Sequence, residues 1–429
     1  VKRLLADLSM ILLCSMAFAI SFTYTDQAHP FDSEVRLGSI DFSPTLTDEE
    51  REFYEQCEVG IMTLSKGDPL YSWFGHTALV FTQPDGYSMS FDWGVFSFNS
   101  ERFYINFAMG QLWYMCSCST TQAHIAGAIA ENRYADLLVL KLEPEKKKAV
   151  LEFLSDNMKA ENRTYLYQHY TDNCATRVRD IIDFATDGAF GAWARSIDAG
   201  TTYRLEASKA LGTSPAALWA LNTLQGGSID KPISLWDKMF LPSSLHDALL
   251  AYPGLVERVE IVNDNSATEY RTPVLSEPAD GLLEALAASL GLCLALSLVH
   301  RVGDKRKLYC LIVAVLDLSL GLIGSLMVFM ASLTTHTFSY FNENLLLLNP
   351  ILLFYSIAEF RYLFSRHRRV RNHYLVPIIC TAILVACKLA LPSVFLQDNW
   401  AQVISLGIYF ATRALLPIRR KALKEMDLA

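Results

Sequence analysis

The sequence predicts two joined architectures, an exported α+β domain over residues 47–250 and an all-α bundle of five transmembrane helices over residues 281–429. Three observations carry this expectation. Five late stretches are apolar over nearly the ~20 residues that a hydrocarbon core demands. Positive charge alternates between the connections that join them. Residues 47–250 mix strand-like and helix-like apolar spacing, punctuated by turn residues. The composition agrees: 52% of residues are hydrophobic, 19% are charged, and the mean hydropathy is +0.21. So apolar a chain buries surface rather than staying disordered, and it points to membrane segments.

The net charge of −8 is unevenly spread. Residues 23–280 carry 20 Lys and Arg against 36 Asp and Glu, whereas residues 281–429 carry 15 against 8. An acidic first half argues against a nucleic acid partner, which needs a basic surface.

In chain order, Val1-Lys2-Arg3 and the apolar run Met10–Phe22 read as a signal peptide over residues 1–22, or as a retained anchor. Ala17-Phe18-Ala19 is the candidate cleavage site, and Leu13 before Cys14 argues against a lipoprotein signal. Residues 23–46 form a polar, turn-rich lead-in. Thr47-Asp48-Glu49-Glu50 is a capping box that opens a helix reaching Cys57. Val59–Leu64, His76–Thr82 and Ser88–Trp93 read as strands, the last two joined by the turn Pro84-Asp85-Gly86. Tyr134–Leu142 is a further strand, and Pro144 starts a helix to about Met158. Thr171–Ala185 is a second helix: Asp172 and Asn173 are N-cap types, and Val178, Ile181, Ile182 and Ala185 recur at helical spacing. Residues 251–280, with a short strand at Leu255–Val262, link to the membrane.

The five expected spans are Gly281–Val299, Leu308–Ala331, Leu345–Phe364, Tyr374–Val394 and Trp400–Ile418. Clusters of Lys and Arg follow the first, third and fifth, while Ser332–Asn344 and Phe395–Asn399 contain none. The positive-inside rule puts the basic connections in the cytoplasm and the others outside. The first span then enters from outside, so residues 23–280 are exported and the C-terminus is cytoplasmic. Asp317 in the second span and Lys388 in the fourth read as a structural pair rather than catalytic groups, with snorkelling of Lys388 as the alternative.

The candidate chemistry centres on Cys174. At a helix start, free N–H groups and the helix dipole favour a thiolate and could hold an oxyanion. His76 opens a strand just after Gly75 and could face the thiol as its base. The bland readings are a packed helix-start cysteine and a strand-end histidine. His169 is a rival base, and His29, His124 and His246 stand in no motif. Ser88 or Asp92 could orient His76; Asp92 is preferred because a carboxylate fixes the tautomer and stabilises the imidazolium. Cys116 and Cys118 read as strand residues on one face, with a disulfide involving Cys57 as the alternative. No further Cys or His stands at zinc-ligand spacing around them.

Trp73-Phe74-Gly75-His76-Thr77 followed by Asp172-Asn173-Cys174-Ala175-Thr176-Arg177 resembles the Lnb family, bacterial lipoprotein N-acyltransferases with a periplasmic N-terminal domain. Thr202-Tyr203-Arg204, Asp230-Lys231-Pro232-Ile233-Ser234, Met239-Phe240-Leu241-Pro242, Thr335-His336-Thr337 and Asn342-Glu343-Asn344-Leu345 look like that family too. The order, histidine before an Asn-Cys that opens a helix, is also similar to the permuted papain arrangement of the lecithin–retinol acyltransferase superfamily. The resemblance implies an inner-membrane enzyme in which Cys174 takes an acyl chain from a phospholipid and passes it to the α-amine of a diacylated lipoprotein. It implies no metal or soluble cofactor. Asn173, Arg204, His336, Asn342 and Asn344 become candidate binding residues. For the loop residues the alternative is a hydrogen-bonded interfacial turn, and for Arg204 a carboxylate partner rather than a phosphate. A membrane-tethered cysteine hydrolase and a non-enzymatic envelope assembly factor are the rival functions.

Overall fold

The computed structural model describes residues 40–96, 102–211, 214–264, 281–302, 306–364 and 374–416. The expected signal segment, most of the lead-in, residues 265–280 and the basic stretches 365–373 and 417–429 lie outside the described residues. Two compact units emerge. One holds the described residues up to 211 and from 232 to 264; the other holds 214–231 and those from 281 onward.

The first unit begins with α1 (Asp48–Gln56) on the expected capping box. Thr47 Oγ1 accepts from the Glu50 N–H at 3.2 Å, and Glu50 Oε2 accepts from the Thr47 N–H at 2.9 Å. Then come β1 (Glu58–Leu64), β2 (His76–Thr82), β3 (Ser88–Val95), α2 (Phe103–Met109), β4 (Trp113–Thr120), α3 (Thr121–Ala130), β5 (Ala135–Leu140), α4 (Pro144–Asn157), β6 (Thr164–Leu166), α5 (Cys174–Ala185), α6 (Ala189–Arg195), β7 (Asp198–Thr202) and α7 (Tyr203–Leu211). Helix α8 (Pro215–Leu224) belongs to the second unit. The chain returns to the first with β8 (Pro232–Ser234), α9 (Leu235–Lys238), α10 (Pro242–Ala251) and β9 (Val256–Asn263).

Seven strands form one antiparallel sheet in the order β6-β4-β3-β2-β1-β5-β9, and β7 pairs with β8. Helix α5 packs on β2 and β3. It buries Val178, Ile181 and Ile182 in the same core as Leu79, Phe81, Phe91 and Trp93. Each such side chain contributes about 1.5–3 kcal/mol of burial energy. The Trp93 indole donates to Asn157 Oδ1 at 2.9 Å, which ties the sheet to α4. Cys57 and Cys116 are buried in this core, Cys118 packs against it, and all three are free thiols.

In the second unit the helices are α11 (Leu282–Arg301), α12 (Arg306–Leu333), α13 (Ile351–Phe364), α14 (Leu375–Ala390) and α15 (Trp400–Leu415). Three stretches, Leu282–Arg301, Lys307–Leu333 and Glu343–Leu363, are long and apolar enough to cross a membrane. Helices α14 and α15 have 16 residues each, short of the ~20 that a span requires.

The expected Asp317–Lys388 pair does not form. Asp317 lies in the middle of α12, fully buried, and accepts from the hydroxyls of Tyr409 at 2.6 Å and of Tyr374. Lys388, in the last turn of α14, instead pairs with Glu343 at 2.7 Å and donates to the Gln397 carbonyl at 2.6 Å. Opposite sign alone matched the two residues in the sequence, but they stand at different levels of their helices. A second buried ion pair joins Arg413 to Glu359.

Residues 214–231 sit with this unit because its buried amides capture their backbone. Asn342 Nδ2 donates to Thr223 O at 2.8 Å, Asn344 Nδ2 to Asn222 O at 3.0 Å and Gln397 Nε2 to Gln225 O at 2.8 Å.

Candidate active site

Asn173 sets the local geometry. Its Oδ1 accepts from the N–H groups of Ala175 and Thr176, and the Thr176 hydroxyl accepts from the Asn173 N–H at 2.8 Å. Its Nδ2 donates to the carbonyls of His169 at 2.7 Å and Phe240 at 2.9 Å, so this buried cap also ties the helix start to two other segments. Arg177 clamps Asp172 with two bonds of 2.6 and 2.7 Å and lies over the Tyr165 ring. The chain before α5 is thus fixed on both sides, and Cys174 is held as its first residue. The cap takes up the amides of Ala175 and Thr176, so of these three first-turn amides that of Cys174 remains for an oxyanion. This narrows the expectation that the whole helix start would supply donors.

His76 is placed by the β2–β3 hairpin. Gly75 before it has φ +82°, a left-handed conformation that only glycine adopts without strain. The antiparallel register sets Ala78 opposite Asp92. His76, two residues before Ala78, therefore shares a sheet face with Asp92 as its diagonal neighbour. His76 Nε2 and Asp92 Oδ1 are 2.6 Å apart. Gly94 leaves room for the ring: a Cβ there would lie 3.2 Å from His76 Cε1. Ser88, the other candidate orienter, is at the far end of the strand and bonds Thr82 and Thr121.

Cys174 lines the same cavity as the imidazole and lies close enough to raise its pKa. With Nε2 engaged by Asp92, Nδ1 is the nitrogen left for the sulfur. Burial lowers the His76 pKa, but the Asp92 carboxylate and then Cys174 outweigh it and hold the imidazole well above its ordinary value. Burial raises the Asp92 pKa, and the neighbouring imidazole more than reverses this, leaving the carboxyl below its ordinary value. About a fifth of each side chain is exposed, 20% and 21%. The three residues form a run from carboxylate through imidazole to thiol.

Cys174, His76 and Asn173 line one cavity of about 450 Å³. Its wall includes Phe74, Phe96, Tyr114 and Tyr167. Burial pushes the Tyr114 hydroxyl up to about 12 and that of Tyr167 well above its usual value, so both are neutral donors. His169 also lines the cavity, but burial pulls its pKa down to about 4 and its ring packs against Phe74 and Phe240. It is a neutral wall residue rather than the thiol's partner.

The remaining predicted residues stand elsewhere. Arg204, on α7, is 1% exposed and is not among the residues lining this cavity. His336, Asn342 and Asn344 are buried in the second unit, and the Asn342 and Asn344 amides donate to backbone carbonyls there. Two neighbours had no sequence signal. His124, on α3, stacks on His76 with ring centroids 6.2 Å apart. Arg133, in the turn before β5, reaches the cavity wall.

Two family models match the chain. The model of the Lnb N-terminal periplasmic domain matches residues 52–209, and that of the Lnb transmembrane domain matches residues 283–421. No curated protein and no solved structure matches it. A periplasmic domain joined to a membrane-spanning region supports an inner-membrane protein. With both of the family's domains present in order, over about two thirds of its length, the chain belongs to the Lnb family.

Proposed function

We propose that this protein is a lipoprotein N-acyltransferase of the inner membrane, working through a covalent thioester on Cys174. Its exported domain would be permuted papain-like, and α14 and α15 would complete five spans with a cytoplasmic C-terminus. The observation that carries the reading is the hydrogen-bonded pair Asp92–His76 with Cys174 beside it on the wall of one cavity, in a chain of the Lnb family. A lipid donor is supported by the rings that step away from the thiol. Tyr167 stacks on Tyr114 at 4.4 Å, Tyr114 on Phe96 at 4.8 Å and Phe96 on Phe103 at 6.1 Å. Helix α2 then exposes Tyr104 (76%) and Ile105 (62%), and no residue from Phe103 to Trp113 is charged. Aromatic, uncharged surface of this kind suits a lipid interface.

In the first step Cys174 reacts as a thiolate paired with the His76 imidazolium, and the sulfur attacks an ester carbonyl of a phospholipid. A C–S bond forms, the ester C–O bond breaks, and His76 gives its proton to the departing lysophospholipid oxygen. The Cys174 amide and the neutral phenols of Tyr114 and Tyr167 are the donors available to the tetrahedral oxyanion. In the second step the α-amine of a diacylglyceryl-cysteine attacks the thioester. A C–N bond forms, the C–S bond breaks, His76 accepts the amine proton, and the thiolate–imidazolium pair is restored. Asp92 keeps Nδ1 of His76 directed at the sulfur throughout.

The test is mass spectrometry of a lipoprotein N-terminal peptide from cells with the protein, without it, and with Cys174→Ser at equal protein level. The expected result is three acyl chains in the first case and two in the others. An unchanged acyl count rejects the assignment.

A further inference from the structure

The cavity wall contains a buried cation that this chemistry leaves unexplained. Arg133 is 6% exposed and lines the same cavity as His76 and Cys174. Its guanidinium is fixed at two of its nitrogens. Nε donates to Ser65 O at 2.7 Å, and Nη1 donates to Glu131 Oε2 at 3.1 Å. Nη2 is buried and has no hydrogen-bond partner among the described residues. Nε2 of His124 is in the same condition. A buried guanidinium N–H without an acceptor is costly, and native proteins rarely leave one so. Here the fork is held rigid by two bonds, which presents the third nitrogen at little cost in side-chain entropy.

The charges around it suit an anion. Glu131 already occupies Nη1, and its side chain is 46% exposed, so water screens it. Asp92 lies close enough to be influenced by Arg133, but its charge is matched by His76. His124 is held below its ordinary pKa by burial and stays neutral, able to donate through Nε2. One fixed cation on the cavity wall, and one neutral donor stacked on His76, thus have capacity to spare. Guanidinium binds phosphate oxygens particularly well, through charge-assisted bonds.

We propose that Arg133, assisted by His124, holds a phosphate group in this cavity, supplied by the headgroup of the lipid whose ester Cys174 attacks. The lipid identity rests on the acyltransferase reading; the phosphate site stands on the geometry of Arg133. A phosphate held on the Asp92 side of His76 would fix where the ester carbonyl meets the sulfur and would favour phospholipids over uncharged glycerides. Arg204, the phosphate candidate from sequence, does not take this place.

The experiment uses the full chain in detergent micelles. Alkylation of Cys174 by iodoacetamide is followed by peptide mass spectrometry in the presence of dihexanoylphosphatidylcholine, dihexanoylglycerol or inorganic phosphate. Acyl transfer to Cys174 from long-chain phosphatidylethanolamine and from dioleoylglycerol is measured in parallel. The expected result is that phosphatidylcholine protects the wild-type thiol at concentrations at least tenfold lower than dihexanoylglycerol does. Arg133→Gln should erase that preference, and Arg133→Lys should keep part of it. Protection unchanged in Arg133→Gln, or lost equally for both glycerides, overturns the proposal. Inorganic phosphate protecting as well as the phospholipid overturns the lipid source and leaves a free-phosphate site. Arg133-dependent protection without any acyl-Cys174 rejects the transfer reading while retaining the site.

Discussion

At the scale of single residues, the account rests on His76 and the two groups it touches. The imidazole is held well above its ordinary pKa, chiefly by Asp92 against the opposing effect of burial. A group whose pKa is raised in this way keeps its proton at neutral pH and loses it only as pH rises through the elevated value. Activity that needs the imidazolium to protonate the leaving oxygen should therefore fall on the alkaline side. Asp92→Asn removes the largest raising influence, so the alkaline limb of the kcat/KM profile should move to lower pH. The rate at neutral pH should drop about 10²–10⁴-fold, the usual worth of acid–base catalysis. A profile that keeps its alkaline limb would assign Asp92 to hairpin structure alone. His169→Phe should leave that limb in place, because His169 is already neutral and packed among rings.

At the scale of elements, Asn173 is the joint on which the site depends. It caps α5 and also bonds the carbonyls of His169 and Phe240. Asn173→Ala should cost about 1–2 kcal/mol for the cap, with a further loss from the two carbonyls left unpaired, read as a lower denaturation midpoint in micelles. A midpoint within error of wild type would contradict the role assigned to the cap. This element was legible in the sequence, because Asp172-Asn173 before Val178, Ile181, Ile182 and Ala185 is a cap followed by a helical stripe. The β2–β3 hairpin was legible too, from alternation and Pro84-Asp85-Gly86, and with it the pairing of His76 and Asp92. Strand β4 was legible only in part: Cys116 and Cys118 read as strand residues on one face, but the extent of the strand, Trp113–Thr120, is set by its neighbours on the sheet. Arg133 and His124 were invisible for a related reason. Each is a single polar residue whose meaning comes from non-local contacts, of His124 with His76 on β2 and of Arg133 with Ser65 just after β1.

At the scale of the whole molecule, the second unit carries its polar groups as internal fasteners. Lys388–Glu343 and Arg413–Glu359 are buried, and the asparagine and glutamine amides hold residues 214–231. The apolar stretches made these helices legible, but the partners of Asp317 and Lys388 depend on helix depth and rotation, which hydropathy does not encode. Lys388→Met strands a buried carboxylate and should destabilise the protein by about 3–5 kcal/mol. Adding Glu343→Gln should recover much of that loss in the same thermal scan, and a double variant no better than the single would argue against a paired role. Above these supports stands the claim that Cys174 carries the acyl chain. It is tested most directly by the mass of the Cys174 peptide from full-length protein incubated with a phospholipid and no acceptor. The account predicts one added acyl chain, released by hydroxylamine and absent in His76→Ala. Triacylated lipoprotein formed by an enzyme in which Cys174 never gains that mass would contradict it.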